Sequence, residues 1–149
     1  MPASRRQTSW PWLTRGLWLT GTLVVLGGLG FWLVGERRWS GPLYCIEAPG
    51  TLWNGLADLP SGYTPECPES ASYRQEVRSR LSRVERYRVD GWHPRDLLET
   101  VKQAGYRQTT DDPVAPGNYT AFMTGQNGMI QYLASHQDGQ TVVTLSGRP

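Results

Sequence analysis

The sequence is poor in residues that commonly carry chemistry. Its 149 residues include only two cysteines and two histidines, and Lys102 is the single lysine among 15 basic residues. His93 and His136 do not fall in HExxH or any other metal-ligand spacing, and GxSxG, P-loop and GxGxxG motifs are missing. These absences argue against the motif-bearing hydrolases, nucleotide-binding proteins and zinc enzymes. We therefore expect no cofactor and no metal site, and we predict that the protein is not an enzyme.

Two features come nearest to a catalytic arrangement. Asp111 and Asp112 are adjacent carboxylates, but neighbouring residues point in divergent directions in most backbones. Because Pro113 follows them, we interpret the two aspartates as the start of a loop. We interpret both histidines as surface residues. An enzyme that used Asp111 or His136 as acid or base would need a partner group that the sequence does not supply.

The charge is divided unevenly along the chain. Residues 1–39 hold five arginines against Glu36 alone, whereas residues 40–149 hold ten basic against twelve acidic residues. Nucleic-acid-binding domains are usually basic, because clustered cations must neutralise phosphates. The mildly acidic C-terminal part therefore argues against nucleic acid as a partner.

A run of twenty uncharged residues lies between Arg15 and Glu36. At about 1.5 Å of rise per residue a helix of this length crosses the hydrocarbon layer of a bilayer, so we predict a transmembrane helix at residues 16–35. Tryptophan, which favours the headgroup level, occurs near both ends of the run. These residues are Trp10, Trp12, Trp18, Trp32 and Trp39.

The flanking charges predict the orientation of this helix. Arginines precede it in a basic segment, residues 1–15, and no small-x-small cleavage site follows it, so we predict an uncleaved signal anchor with a cytoplasmic N-terminus. The C-terminal domain then lies outside the cytosol, beside the lipid bilayer. Arg5 and Arg6 also resemble the start of a twin-arginine signal, although Thr8 and Ser9 stand where apolar residues are expected.

Glycines recur at seven-residue spacing within the predicted membrane helix. Gly21, Gly28 and Gly35 would lie along one helix face, where small residues let a second helix approach closely. This spacing favours a protein partner in the membrane or envelope.

The juxtamembrane segment, residues 36–68, has no sustained helical or strand period. Its proline, glycine and apolar side chains indicate irregular chain that lies against the folded domain. Cys45 and Cys67 bracket most of it. Outside the cytosol two such cysteines are best interpreted as one structural disulfide bond, because neither a CxxC motif nor further metal ligands accompany them.

Residues 69–149 have the pattern of a small α+β domain with two helices. Ser72 and Gln75 are placed as a capping box, and Tyr73, Val77, Leu81 and Val84 form one apolar stripe, which predicts a helix continuing past Val84. A second helix is predicted at about Pro94 to Ala104, with Gly105 as its left-handed C-terminal cap.

Beyond Tyr106 the apolar period falls to two. Strands are predicted at residues 118–124, 129–135 and 140–146, with a fourth at 106–110. Asn127-Gly128 and Asp138-Gly139 are typical of two-residue type I′ hairpin turns. We therefore predict a transmembrane helix followed by two helices packed on a three- to four-stranded antiparallel meander.

These features favour a membrane-anchored extracytoplasmic binding or accessory domain, working as a subunit of an envelope complex. The alternative is a module that binds glycan or peptidoglycan through exposed aromatic side chains. The candidate contacts are Trp53, Trp92, Tyr119 and Tyr132. Asn118 begins a glycosylation sequon, which matters only in a eukaryotic secretory pathway.

Overall fold

The computed structural model describes residues 27–28, 30, 32–33 and 35–148, and of residues 111–115 the backbone alone. The chain divides into two units, residues 1–38 and 39–149. In the first unit every described residue is helical. Among the described residues, no helix combines the length and the apolar content needed to cross a bilayer. Most of the predicted span at 16–35, including Gly21, and all of residues 1–15 lie outside the described part of the chain.

Besides the helical residues 39–40, the described part of the second unit contains eight strands and two helices. In chain order they are β1 (Thr51–Leu52), β2 (Ala57–Asp58), β3 (Thr64–Glu66), α1 (Ala71–Arg78), β4 (Arg83–Asp90), α2 (Asp96–Gln103), β5 (Arg107–Ala115), β6 (Asn118–Gly125), β7 (Gly128–Gln137) and β8 (Gln140–Gly147). The first two strands form a small hairpin of their own. The other six form one antiparallel sheet in the order β3-β4-β8-β7-β6-β5.

The α+β class and the antiparallel meander predicted from the sequence are confirmed. The meander has four strands, β5 to β8, so the fourth strand predicted near residues 106–110 exists and extends to Ala115. The sheet is wider than predicted because β4 pairs with β8 and β3 pairs with β4. Both added strands come from segments that were assigned to a helix or to irregular chain.

The first predicted helix is too long. Helix α1 follows Ser70 rather than Ser72, has no side-chain cap, and ends at Arg78. Its end is a Schellman motif, in which the N–H of Leu81 donates to the Glu76 carbonyl and the N–H of Arg80 to the Val77 carbonyl. Arg80 takes the left-handed conformation, φ 55°, that glycine usually fills. The sequence therefore has no glycine to indicate that the helix ends here, although the structure has the backbone conformation that ends it.

Strand β4 replaces the second half of that predicted helix. Its residues alternate between the two faces of the sheet, with Val84 on one face and Tyr87 on the other, and both are buried. Two arginines of the strand are compensated by a carboxylate of the neighbouring strand, because Arg86 and Arg88 pair with Glu66 at 3.0 and 3.1 Å. Arg86 and Arg88 thus lie in a sheet and not in a helix.

The second predicted helix is confirmed with a later start. Helix α2 begins at Asp96, two residues after Pro94, and buries Leu97, Leu98 and Val101. Gly105 has φ 97° and donates its N–H to the Lys102 carbonyl, which is the predicted left-handed cap.

One of the two predicted hairpin turns has the expected geometry. Asp138 and Gly139 both have positive φ, 51° and 78°, as a type I′ turn requires. The other turn lies one residue earlier than predicted, since Gly125 pairs with Gly128 across Gln126 and Asn127. There only Gly128 has positive φ, 104°, which fits a type I turn followed by a glycine bulge.

The main core lies on one face of the sheet, beneath α2 and the β1–β2 hairpin. Its members are apolar or aromatic side chains of the sheet, the helix and the hairpin, among them Leu52, Tyr87, Leu97, Leu98, Val101, Met123, Ile130, Tyr132, Val143 and Leu145. Burial of this one face fixes the register in which the strands pair, because a one-residue slip of a strand would turn each of its core side chains to the other face.

A second, smaller core lies around a disulfide bond. Cys45 and Cys67 are bonded as predicted, with their Cα atoms 5.7 Å apart, and they pack with Tyr44, Ile46 and Val84. Arg74 of α1 donates to the carbonyls of Trp39 and Gly41 and lies 4.3 Å from the centroid of the Tyr44 ring. The segment after residue 38 is therefore fastened to α1 and β4.

We expect removal of this disulfide to destabilise the domain. Closing a loop between residues 22 apart in sequence stabilises a fold by about 3 kcal/mol on the chain-entropy model. The variant Cys45→Ser with Cys67→Ser should lose about that much free energy of unfolding in a urea titration. Reduced wild-type protein is the control and should behave like the variant, and a loss well below 1 kcal/mol would contradict the assigned role.

Candidate functional site

The sheet is covered on one face and partly open on the other. Along β6, Ala121 and Met123 point into the main core, so Phe122 between them points to the opposite face. Met129 and Leu133 of β7 share that opposite face, because Met129 pairs with Thr124 and Leu133 with Thr120. We call this surface the open face.

A groove of about 570 Å³ runs between α1 and the open face. Its apolar lining comes from Tyr73 on α1, Val84 on β4, Phe122 on β6 and Met129 on β7. Polar groups lie along its sides and at its end, namely Glu76, Ser82, Gln131, Ser146 and Arg148. Helix α1 contacts β4, the strand beside β8, and it forms one wall of the groove.

Large apolar side chains remain exposed on this side of the molecule. Tyr73 is 42% exposed, Met129 58% and Leu133 37%. Leu133 lies on the same face farther along β7, beyond Gln131, and does not line the groove. Scattered exposed apolar residues are ordinary, but a contiguous group around a concavity is typical of an interaction site. The arrangement can bind apolar side chains and offers polar partners at its margins.

A buried carboxylate lies on the covered face. Glu85 of β4 is 1% exposed and accepts hydrogen bonds from the hydroxyl of Tyr87 and from Arg83, whose Nε is 3.1 Å away. Burial, followed by the neighbouring Glu85 charge, raises the pKa of Tyr87 well above its usual value, so the hydroxyl remains a donor. Arg83 also pairs with Glu47 at 3.4 Å. The carboxylate is thus compensated by a hydrogen-bonded network of side chains.

This network holds an unusual turn between β1 and β2. Trp53, Asn54 and Gly55 all have positive φ, 47°, 55° and 86°, and the Leu56 N–H donates to the Leu52 carbonyl to close a left-handed turn. Such a turn is disfavoured for a bulky residue by about 1–2 kcal/mol. It persists because the Trp53 N–H donates to the Tyr87 hydroxyl at 3.2 Å.

The Trp53 side chain is equally constrained. Its indole is buried, and the Arg83 guanidinium lies 5.4 Å from the ring centroid. A Cβ at Gly147 would come within 3.2 Å of the indole and 2.7 Å of the Met129 carbonyl oxygen, so only glycine fits there. Trp53 is therefore part of the architecture rather than of the surface.

We expect Tyr87→Phe to destabilise the domain. The change removes the donor to Glu85 Oε2, which leaves that carboxylate with Arg83 alone, and it removes the acceptor for the Trp53 N–H. The free energy of unfolding should fall by about 2–4 kcal/mol in urea. Tyr73→Phe removes the same hydroxyl from an exposed ring and should change stability by less than about 0.5 kcal/mol. Equal stability of the two variants would contradict this account of the network.

Three of the four aromatic residues predicted to contact a ligand are buried. Tyr119 and Tyr132 pack edge to face, with centroids 6.1 Å apart, and the Tyr132 hydroxyl donates to the Pro94 carbonyl. Trp53 is buried as described, and none of the three presents a ring to solvent. Hydrophobic alternation predicted that residues 119 and 132 lie in strands but did not reveal which face was covered.

Trp92 is the exception, at 40% exposure. Its ring lies 5.5 Å from that of His136, centroid to centroid, and the neighbouring His93 places Nδ1 3.1 Å from an Asp96 carboxylate oxygen. Both histidines are exposed, as predicted. The structure thus brings Trp92 and His136 together in a small aromatic and polar surface at the end of the sheet nearest the start of α2.

The remaining candidate residues have plain surroundings. Gly28 and Gly35 are helical and have open space where a side chain would stand, while Gly21 lies outside the described residues. Asp111 and Asp112 lie within β5, paired with Ala121 and Thr120, and not at the start of a loop as predicted. Among the residues whose side chains are described, which excludes 111–115, no three His, Cys, Asp or Glu residues cluster as metal ligands.

Sequence reasoning missed the groove. Phe122 and Met129 are large apolar residues on the face opposite the core in strands whose side chains alternate between the two faces. This alternation is a signal from which their place on that face could have been predicted. Tyr73 and Val84 could not be placed with them, because both were assigned to one continuous helix.

No protein-family model, no curated protein and no solved structure matches this chain.

Proposed function

We propose that this protein is a membrane-anchored extracytoplasmic binding domain, an accessory subunit of an envelope complex that holds a partner protein in the groove beside α1. The observation that carries the proposal is the exposed apolar lining of that groove. Tyr73 and Met129 are large, exposed and set on opposite walls. Truncation of such central apolar contacts is what usually weakens a protein interface.

The walls of the groove suit a binding site because they are rigid. One wall is the six-stranded sheet, and the other is α1, which packs through Val77 against the small core around the disulfide. A partner that enters a preformed groove loses less of its binding energy to ordering the protein. Gln131 and Ser146 supply hydrogen-bonding groups at the margin, as is usual around an apolar interface core.

The anchor and the location are proposed from the sequence, with support from the disulfide. The uncharged run at residues 16–35 is long enough to cross a bilayer, and the Cys45–Cys67 bond is typical of oxidising compartments. Thiols found reduced in protein alkylated within intact cells would contradict a location outside the cytosol.

We expect Met129→Asp to abolish partner binding without unfolding the domain. Met129 is exposed, so the substitution leaves the main core intact, but it puts a carboxylate between the apolar walls of the groove. The measurement is the mass of the full chain purified from its native membrane in mild detergent. The wild-type particle should exceed the mass of a monomer, and the variant should not.

The matched control is Gln126→Asp, which adds the same charge at an exposed residue of the adjoining turn that does not line the groove. It should behave as wild type. A crosslinking amino acid at position 129 should capture the partner, and the same group at position 126 should not. A monomeric wild-type particle, or a Met129→Asp particle of unchanged mass, would refute the proposed docking.

Trp92 supports a second candidate, the binding of glycan or peptidoglycan. An exposed indole beside imidazole and carboxylate groups can stack on a sugar ring while those groups hydrogen-bond its hydroxyls. Because Trp53, Tyr119 and Tyr132 are buried, this candidate depends on Trp92 alone.

For this candidate we expect Trp92→Ala to weaken retention of the protein on isolated cell wall. The measurement is the fraction that sediments with the wall material. Tyr73→Ala removes an aromatic ring of similar exposure elsewhere and should leave retention unchanged. Glycan binding is eliminated as a function if the wild-type protein itself does not sediment.

A further inference from the structure

A second concavity adjoins the end of the groove. It has a volume of about 410 Å³ and is lined by Trp53, Asn54, Arg83, Asn127 and Arg148. We call it the arginine pocket. Its lining has two guanidinium groups and two carboxamides but no carboxylate, so it offers hydrogen-bond donors and net positive charge. Arg148 also lines the groove, and Asn127 precedes the groove residue Gly128, so the two concavities are neighbours that share the Arg148 side of their lining.

The two arginines differ in how much of their charge is available. Arg83 is held by the buried Glu85 on one side and by the more exposed Glu47 on the other. Arg148 is exposed, and no ion pair joins it to another described residue. The uncompensated charge of the pocket therefore comes mainly from Arg148, while Arg83 forms a fixed part of the wall.

Both amide groups lie in turns, and the turn at Asn54 is strained. Asn54 is the middle residue of the left-handed turn. Two hydrogen bonds hold this turn: the Trp53 N–H donates to the Tyr87 hydroxyl, and the Gly55 N–H donates to Thr51 Oγ1. Asn127 is the second residue of the two-residue turn between β6 and β7. Strained turns that their surroundings over-determine cluster at binding sites, because they pre-position the groups that bind.

We propose that the arginine pocket binds a carboxylate group of the partner segment that lies in the groove. The occupant is then a peptide segment with apolar side chains followed by an acidic group. The inference rests on the proposed function for the identity of the partner. Charge complementarity selects the acidic group, since a guanidinium with free donors binds a carboxylate through two parallel hydrogen bonds.

The carboxylate site can be measured without the partner. Acetate serves as the probe for an acidic side chain and N-acetylglycine as the probe for a chain terminus, each titrated into the full chain at constant ionic strength. The side-chain amide resonances of Asn54 and Asn127 should shift and saturate. Arg148→Ala should weaken the binding of the preferred probe about tenfold, as loss of a charged hydrogen-bond donor does.

Arg95→Ala is the matched control. It removes the same charge beside Tyr119, at the opposite end of β6 from the pocket, and should leave probe binding unchanged. Tighter binding of acetate assigns the site to an acidic side chain, and tighter binding of N-acetylglycine assigns it to a terminus. The carboxylate site is refuted if neither probe produces saturable shifts, or if Arg148→Ala binds the probes as well as wild type does.

The two proposals fail in different experiments. If Met129→Asp releases the partner but no probe binds, the groove stands and the carboxylate site is wrong. If the probes bind through Arg148 but Met129→Asp keeps its partner, the carboxylate site stands and docking in the groove is wrong.

Discussion

The rest of the second unit depends on the compensation of one buried carboxylate. Glu85 is a charged group on the core face of a central strand, where an unpaired charge would be strongly destabilising. Tyr87 and Arg83 supply its hydrogen bonds, and both are then fixed in position. Because Tyr87 is fixed, it can accept from the Trp53 backbone and hold the left-handed turn.

The same constraint extends to the surface. The turn sets the Trp53 indole against Gly147, and the close contact at Gly147 determines where the chain emerges beside the groove as Arg148. The arginine pocket and the end of the groove are therefore shaped by a hydrogen-bond network inside the molecule. A surface built in this way is rigid, which favours binding without a large cost of ordering.

The sequence predicted those elements whose signals are local. Asp138-Gly139 and Gly105 were identified correctly because positive φ at these positions depends on the residue type itself. The end of α1 was missed because Arg80 adopts a conformation that glycine normally signals, and the backbone hydrogen bonds of the Schellman motif close the helix there without a glycine. Strand β4 was missed with it, since Arg86 and Arg88 have their partner, Glu66, in β3, a segment with no strand pattern of its own. The groove depends on both elements, so its position could not be predicted, whereas the disulfide, which needs only two cysteines, could.

The disulfide has a mechanical consequence. A pull on the chain at Trp39 reaches Cys45 and passes through the covalent bond to Cys67, and from there to α1 and β4. The intervening residues, including the strained turn at Trp53, are bypassed by the load. Tension from the N-terminal side is therefore not transmitted through the turn that holds Asn54 while the bond is oxidised. In a single-molecule pulling experiment, the segment between the two cysteines would add its length only after reduction.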